Sequence, residues 1–224
     1  MIETLDLYDK EIMLFLNFDG GAWLDQFLYL FSAKTTWIAT YVAIIIQLFI
    51  SGKSDKSKWI SLAINVLFIV LIILLADRIS SGLIKHWVER PRPSHSDIEG
   101  MLHYVNDYKG GMFGFVSSHA ANSIGLGLWL CLLYRTRILC TTMILWVLTT
   151  CYSRIYLGVH YLGDILGGLT LGIIIVILVH HLYCRFINED LRITDNKKEP
   201  WLIITTILAT VIVLAVCSLV QLYQ

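Results

Sequence analysis

Six apolar runs dominate this 224-residue chain, at roughly 36–51, 58–77, 118–134, 138–157, 162–183 and 201–222. Each approaches the ~20 residues that a helix needs to cross a bilayer. Hydrocarbon offers no partner for backbone N–H and C=O groups, so such segments satisfy themselves as α-helices. The reading is an all-α polytopic membrane bundle of six transmembrane spans, folded as a single domain over 1–224. Composition agrees: 57% of residues are hydrophobic and 15% charged, where soluble domains hold about 45–50% and about 25%. Seventeen basic residues balance seventeen acidic ones, which leaves no field to attract nucleic acid. Cys131, Cys140, Cys151, Cys184 and Cys217 all fall inside apolar runs and read as packing residues, not disulfide partners.

The first 35 residues are acidic, with Glu3, Asp6, Asp9, Glu11, Asp19 and Asp25, and lack the basic start and unbroken apolar core of a signal peptide. Leu5, Tyr8, Ile12, Phe15 and Leu16 recur at helical spacing, which predicts an interfacial amphipathic helix, with a second over Trp23 to Phe31. Lys53, Lys56 and Lys58, then Arg135 and Arg137, then Arg185, Arg192, Lys197 and Lys198 fall on one side of the alternating spans. The positive-inside rule makes that side cytoplasmic. The N-terminus, the 78–117 loop and the 158–161 connection then face outward. Trp59, Trp87, Trp129 and Trp201 lie near span ends, as interfacial anchors do. A helical core covers 36–185, and 201–222 is an additional C-terminal span. This layout fits a bacterial inner membrane with the outward loops in the periplasm.

Polar residues concentrate on the outward side at three places. They are Lys85 to Pro93 after the second span, Phe115 to His119 opening the third, and Ser153 to Asp164 between the fourth and fifth. Alternating topology brings all three to one membrane face. Lys85, Arg92 and Arg154 supply cations, two of them forked guanidiniums suited to phosphate. Ser117 and Ser118 open a helix, where hydroxyls and backbone N–H groups cradle an anion at the positive end of the dipole. His160 and Asp164 are four apart, so the carboxylate can hold one ring nitrogen and leave the other as a nucleophile. His119 remains as the general acid that protonates the departing oxygen. Cations and two histidines together describe phosphoryl transfer through a phospho-histidine.

The pattern K-x6-R-P, S-x-H, S-R-x5-H-x3-D from Lys85 to Asp164 resembles the three-part signature of the type 2 phosphatidic acid phosphatase family. The resemblance implies His160 as nucleophile, His119 as acid and Asp164 as its orienting carboxylate. It also implies phosphate binding by Lys85, Arg92, Ser117 and Arg154, with Ser118 beside them. The family usually has Pro and Gly where this chain has Val116 and Ser118; the Ser adds a hydroxyl where backbone approaches the phosphate. The expected substrate is an anionic phosphorylated lipid of the bilayer, with undecaprenyl diphosphate or lipid A phosphate favoured. Neither cofactor nor metal is called for, and no nucleic-acid or protein partner is implied. Two other readings stay open: a lipid-to-lipid phosphotransferase at the same site, and a non-catalytic lipid-binding or transport bundle.

Other polar residues have plainer readings. Arg90 divides evenly between function and simple solvation. Asp77 and Arg78 end the second span near the site, and His86, Glu89, His95 and His103 read as surface residues. Adjacent His180 and His181 at a cytoplasmic span end fall short of a metal set. Ile98, Met101, Leu102 and Val105 recur at helical spacing, which predicts a short interfacial helix in 94–116 that gates lipid entry, hinged at Gly110-Gly111.

Overall fold

The computed structural model describes residues 2–52, 57–193 and 199–221; Lys53, Lys56, Lys197 and Lys198 lie outside them. Regular structure among the described residues is helical. α1 (Ile2–Leu16) and α2 (Gly21–Ser32) precede a 3-10 turn, Lys34–Trp37, that leads into α3 (Ile38–Ile50). α4 (Lys58–Asp77) runs through a π-helical stretch, Arg78–Ile84, into the single turn α5 (Lys85–Val88). α6 (Ser118–Tyr134), α7 (Arg137–Tyr156) and α8 (Leu162–Phe186) form the centre, and α9 (Trp201–Gln221) follows.

Four helical stretches among the described residues are long and apolar enough to cross a membrane: Lys58–Val88, Arg137–Tyr156, Leu162–Phe186 and Trp201–Gln221. The α2–α3 pair, bent by 68°, makes a fifth if taken as one span. The run expected as a span over 36–51 is helical, but it does not reach spanning length by itself. α3 has only 13 residues, about 20 Å of helix, and α2, expected as a separate interfacial helix, is joined to it across the bend. α6 has 17 residues, just short of a spanning length. Large side chains such as Ile45, Leu67, Leu148, Ile177 and Ile212 stand exposed on the outer helix faces. A belt of that extent belongs against lipid rather than water.

The centre is set by α6 packed on α8. Gly168 and Gly172 lie four apart on one face of α8, and small residues at that spacing let two backbones approach closely. A Cβ at Gly172 would sit 2.5 Å from the Ala121 carbonyl oxygen, and one at Gly168 would collide with that of Ser117. Lower in the bundle, Trp129 is fully buried between Phe68, stacked at 5.8 Å, and Tyr183, edge-on at 5.2 Å. The interfacial position expected for Trp129 is thus corrected: α4, α6 and α8 meet there, and the ring fills their junction. Trp59, Trp87 and Trp201 are exposed, as anchors would be.

The segment after α5 turns sharply. Glu89 adopts a left-handed conformation at φ 51°, and Pro91 bars further helix. The helix expected from Ile98 to Val105 is replaced by two 3-10 turns, Pro93–His95 and Glu99–Met101, in an otherwise irregular loop. Ile98 and Val105 are buried while Met101 is 67% exposed. The spacing therefore reflects separate anchors under a loop, and positive φ at Asn106, Asp107 and Gly110 breaks any continuing helix.

Candidate active site

Three segments far apart in sequence converge at one end of the bundle. The π-helical stretch carries α4 on to Lys85. Arg92 follows in a loop held by an antiparallel bridge between Pro91 and Phe113, with Arg92 N donating to Met112 O at 3.0 Å and Gly114 N to Arg90 O at 2.8 Å. His119 stands in the first turn of α6, and His160 in the turn before α8. Lys85, Arg92, Ser118, His119 and His160 all line one cavity of about 580 Å³. Its other lining residues include Ile44, Leu48, Val66 and Leu126, so the space leads from a charged, histidine-bearing end into hydrocarbon.

His160 is 1% exposed and Asp164 fully buried. The imidazole Nδ1–H donates to Asp164 Oδ2 at 3.2 Å, and the same oxygen accepts the Tyr161 backbone N–H at 3.1 Å. Asp164 therefore caps the start of α8 and fixes the ring of His160 with one atom. A carboxylate accepts only, so the proton sits on Nδ1 and Nε2 keeps its lone pair. Burial, and then the nearby cations Arg92, Arg154 and Lys85, hold the His160 imidazole well below the usual histidine range. It is neutral, as a nucleophile must be.

The second oxygen of Asp164 accepts Arg90 Nη1 at 3.2 Å. Arg90 also reaches Asp9 Oδ2 and Asp6 Oδ1, each at 2.9 Å, and lies 4.3 Å over the Tyr161 ring. Asp9 accepts the Gly163 backbone N–H at 3.0 Å, and Lys10 pairs with Asp97 at 2.9 Å. Burial works against the charge on Arg90, but Asp164, Asp9 and Asp6 outweigh it and raise its pKa. α1 is thus a clamp across the back of the site. Reading the sequence left Arg90 undecided and passed over Asp6 and Asp9 as ligands of it. Their only local signal was an Arg just before Pro91 in the first motif and a helix in which Glu3, Asp6, Asp9 and Glu11 outnumber the single Lys10.

The remaining expected residues divide. Arg92 is 9% exposed and donates through Nε to Phe113 O at 3.1 Å, leaving its fork toward the cavity with a long contact of 3.4 Å to Val159 O. Ser117 is fully buried as the N-cap of α6, its hydroxyl accepting from Ala120 N at 3.4 Å. The Ser118 hydroxyl accepts from Ser80 at 2.9 Å and meets Ser81 at 2.7 Å. The side chain that replaces the family's glycine is tied down by the π-helical stretch. Arg154, 2% exposed, donates to Ser32 Oγ at 2.6 Å and to the Tyr108 hydroxyl at 3.0 Å, so it braces the wall. Ser117 and Arg154 are not among the residues that line the cavity. His103, expected at the surface, is half-buried and bonded to Asp25 at 3.0 Å.

A helical bundle with a cation- and histidine-lined cavity opening into its apolar interior defines a class of integral-membrane phosphatases. Residues 63–188 match the PAP2 superfamily. The chain belongs to that superfamily, and with it to the lipid phosphate hydrolases that its motifs resemble. It is 33% identical, over 99% of its length and all of the relative's, to a lipid A 4'-phosphatase of Bacteroides thetaiotaomicron. It is 34% identical to a lipid A 4'-phosphatase of Porphyromonas gingivalis, over 78% of this chain and 72% of that one. The fold is similar to the crystal structure of a PAP2-type phosphatidylglycerolphosphate phosphatase from Bacillus subtilis. The TM-score is 0.62 at 20% identity, covering 83% of this chain and 89% of that one.

Proposed function

We propose that this protein hydrolyses the phosphate of a membrane lipid, with a lipid A phosphate as the favoured substrate, through a phospho-histidine on His160. The observation that carries the reading is the shared cavity: Lys85, Arg92, His119 and His160 line one space that continues into an apolar interior. A phosphorylated lipid has that same polarity along its length. In the first step Nε2 of His160 attacks phosphorus, the P–O bond to the lipid breaks, and His119 gives its proton to the departing oxygen. Lys85 and Arg92 stabilise the charge spread over the phosphoryl oxygens. Asp164 holds the ring and balances the positive charge that His160 gains. In the second step water attacks the phospho-histidine, its proton passes to His119, and inorganic phosphate leaves. Lipid A is favoured over undecaprenyl diphosphate because two extensive relatives carry that name.

The chain crosses the membrane six times in this reading, with the bent α2–α3 pair as the first crossing and α6 as the third. The catalytic end lies opposite Lys58, Arg135, Arg137 and Arg185, which mark the far ends of α4, α6, α7 and α8. By the positive-inside rule it faces the periplasm of a bacterial inner membrane. The test is phosphate release by detergent-purified protein in excess EDTA, beside His160→Ala, on lipid A, undecaprenyl diphosphate, phosphatidylglycerol phosphate and phosphatidic acid. Release that survives EDTA, is lost by at least ~10³-fold in the variant and is fastest on lipid A is the expected result. A phosphoryl label on the wild-type protein that is acid-labile, alkali-stable and absent from the variant identifies the intermediate. Activity that needs metal, or persists without His160, overturns the mechanism.

A further inference from the structure

The cavity is graded along its walls. Along α4 and its continuation the lining residues include Val66, Ile69, Ile73, Asp77, Ser81 and Lys85; along α6 they include Leu126, Ser123, Asn122, His119 and Ser118. Below the cations and histidines there is therefore a polar belt, Asp77 facing in from one helix and Asn122 from the other, before hydrocarbon begins. His119 and Asn122 are three apart on α6, about 4.5 Å along its axis. The belt lies one step below the bond that breaks.

These polar groups lack protein partners. Asn122 Oδ1 is buried without a hydrogen bond, and so is Nε1 of Trp146, another lining residue. The Asp77 carboxylate is half-buried and makes no hydrogen bond or ion pair among the described residues, its charge being felt at longer range by Lys85 on the same wall. Ser81, by contrast, is occupied by Ser118. Buried polar atoms are nearly always bonded, and unmade bonds weaken a fold. A carboxylate offers acceptors only, whereas an amide offers both a donor and an acceptor and exchanges them by a half-turn. Together they match a hydroxyl or an amide N–H placed just beyond the phosphate.

We infer that Asp77 and Asn122 read the polar part of the leaving group and select a phosphorylated sugar lipid, bearing hydroxyl and amide donors, over a polyprenyl phosphate. In a polyprenyl phosphate the hydrocarbon begins at the first carbon, so its chain would press on the carboxylate and the amide and leave both unpaired. A site built to bond a polar group discriminates strongly against an analogue without it. The inference rests on the lipid-phosphatase reading above and names the feature of the substrate that the site senses.

The experiment compares kcat/KM for a monophosphorylated glucosamine lipid and for undecaprenyl phosphate. It uses the full-length protein, Asn122→Leu, Asn122→Ser and Asp77→Asn, with p-nitrophenyl phosphate and His160→Ala as controls. Wild-type protein prefers the sugar lipid, and in each variant the ratio of the two values falls by about 10-fold or more. The ratio is internal to each preparation, so loss of folded protein does not imitate the effect. Equal wild-type turnover of the two lipids, an unchanged ratio in the variants, or folded variants inactive on every substrate would overturn the inference. Failure of the underlying reading has a separate signature, since then no phosphate ester is cleaved or His160→Ala remains active.

Discussion

Asp164 serves three donors at once: the His160 ring, the Tyr161 backbone and the Arg90 fork. Arg90 in turn fills its remaining capacity with Asp6 and Asp9. Only a planar guanidinium meets three carboxylates in this way. Arg90→Lys and Asp9→Asn are therefore expected to lower kcat by about 10- to 100-fold through misplacement of the dyad, with KM little changed; steady-state kinetics on a soluble phosphate ester checks this. The pH profile of kcat/KM should be bell-shaped. Because the His160 pKa is lowered by burial and by the cations around it, its neutral form persists into acid. The acid limb should fall below the ordinary histidine value of about 6.5. Arg92→Gln removes one of those cations, which raises the His160 pKa and moves the acid limb to higher pH. A limb that stays in place would show that Arg92 does not act on His160. At this scale the residues that share the cavity, Lys85, Arg92, Ser118, His119 and His160, were legible, because each motif is contiguous and its spacing carries the pattern. Arg90 was not, because it sits in a loop and its partners Asp9, Asp6 and Asp164 lie 81, 84 and 74 positions away on two helices.

At the scale of elements, the contact between α6 and α8 decides whether His119 and His160 share a cavity at all. Gly168 and Gly172 permit it. Gly172→Val would drive two methyl groups into the Ala121 carbonyl and is expected to destabilise the protein by about 1–3 kcal/mol. Activity on lipid and on soluble esters should fall together, as measured by denaturant-induced unfolding beside both assays. The apolar runs announced most helices well, since each is a long block with polar ends. The same rule failed where an element is short or bent. The span expected over 36–51 and the interfacial helix expected over Trp23 to Phe31 lie on either side of the break at Ala33 and together make one bent pair, which hydropathy misses because both halves are apolar and it does not register direction. The helix expected within 94–116 came from four apolar residues, of which Ile98 and Val105 anchor a loop in the fold while Met101 stands exposed. Trp129 was misplaced because its position near a span end resembles that of a membrane anchor, whereas a partner ring on each side puts it in the core.

For the molecule as a whole, α9 is the addition to the catalytic core, and it packs on α2 and α3, with Trp23 Nε1 donating to Ala215 O at 3.1 Å. Those two helices contribute Phe31, Ser32, Tyr41, Ile44 and Leu48 to the cavity wall. α9 is thus a buttress for the apolar half of the site, and among the described residues none of its side chains lines the cavity. Truncation after residue 193 is expected to lower the thermal midpoint and to impair lipid turnover more than turnover of p-nitrophenyl phosphate. Equal losses on both would place the helix in general stability alone. This role was not legible in the sequence, which gives the length and apolarity of a span but not the neighbour it chooses.

The clamp between α1 and the dyad has a consequence for how the enzyme comes into being. The Asp9 carboxylate is made well before its partner, the Gly163 backbone 154 positions later. At roughly 5–20 residues per second the interval between the two is about 10–30 s. Throughout that time Asp6 and Asp9 wait without Asp164, and Arg90 emerges midway with its carboxylates only on one side. A growing chain cannot hold His160 in register until α8 has entered the membrane and locked against α1. Hydrolytic power therefore arrives late and all at once, and the membrane around an unfinished chain keeps its phosphates.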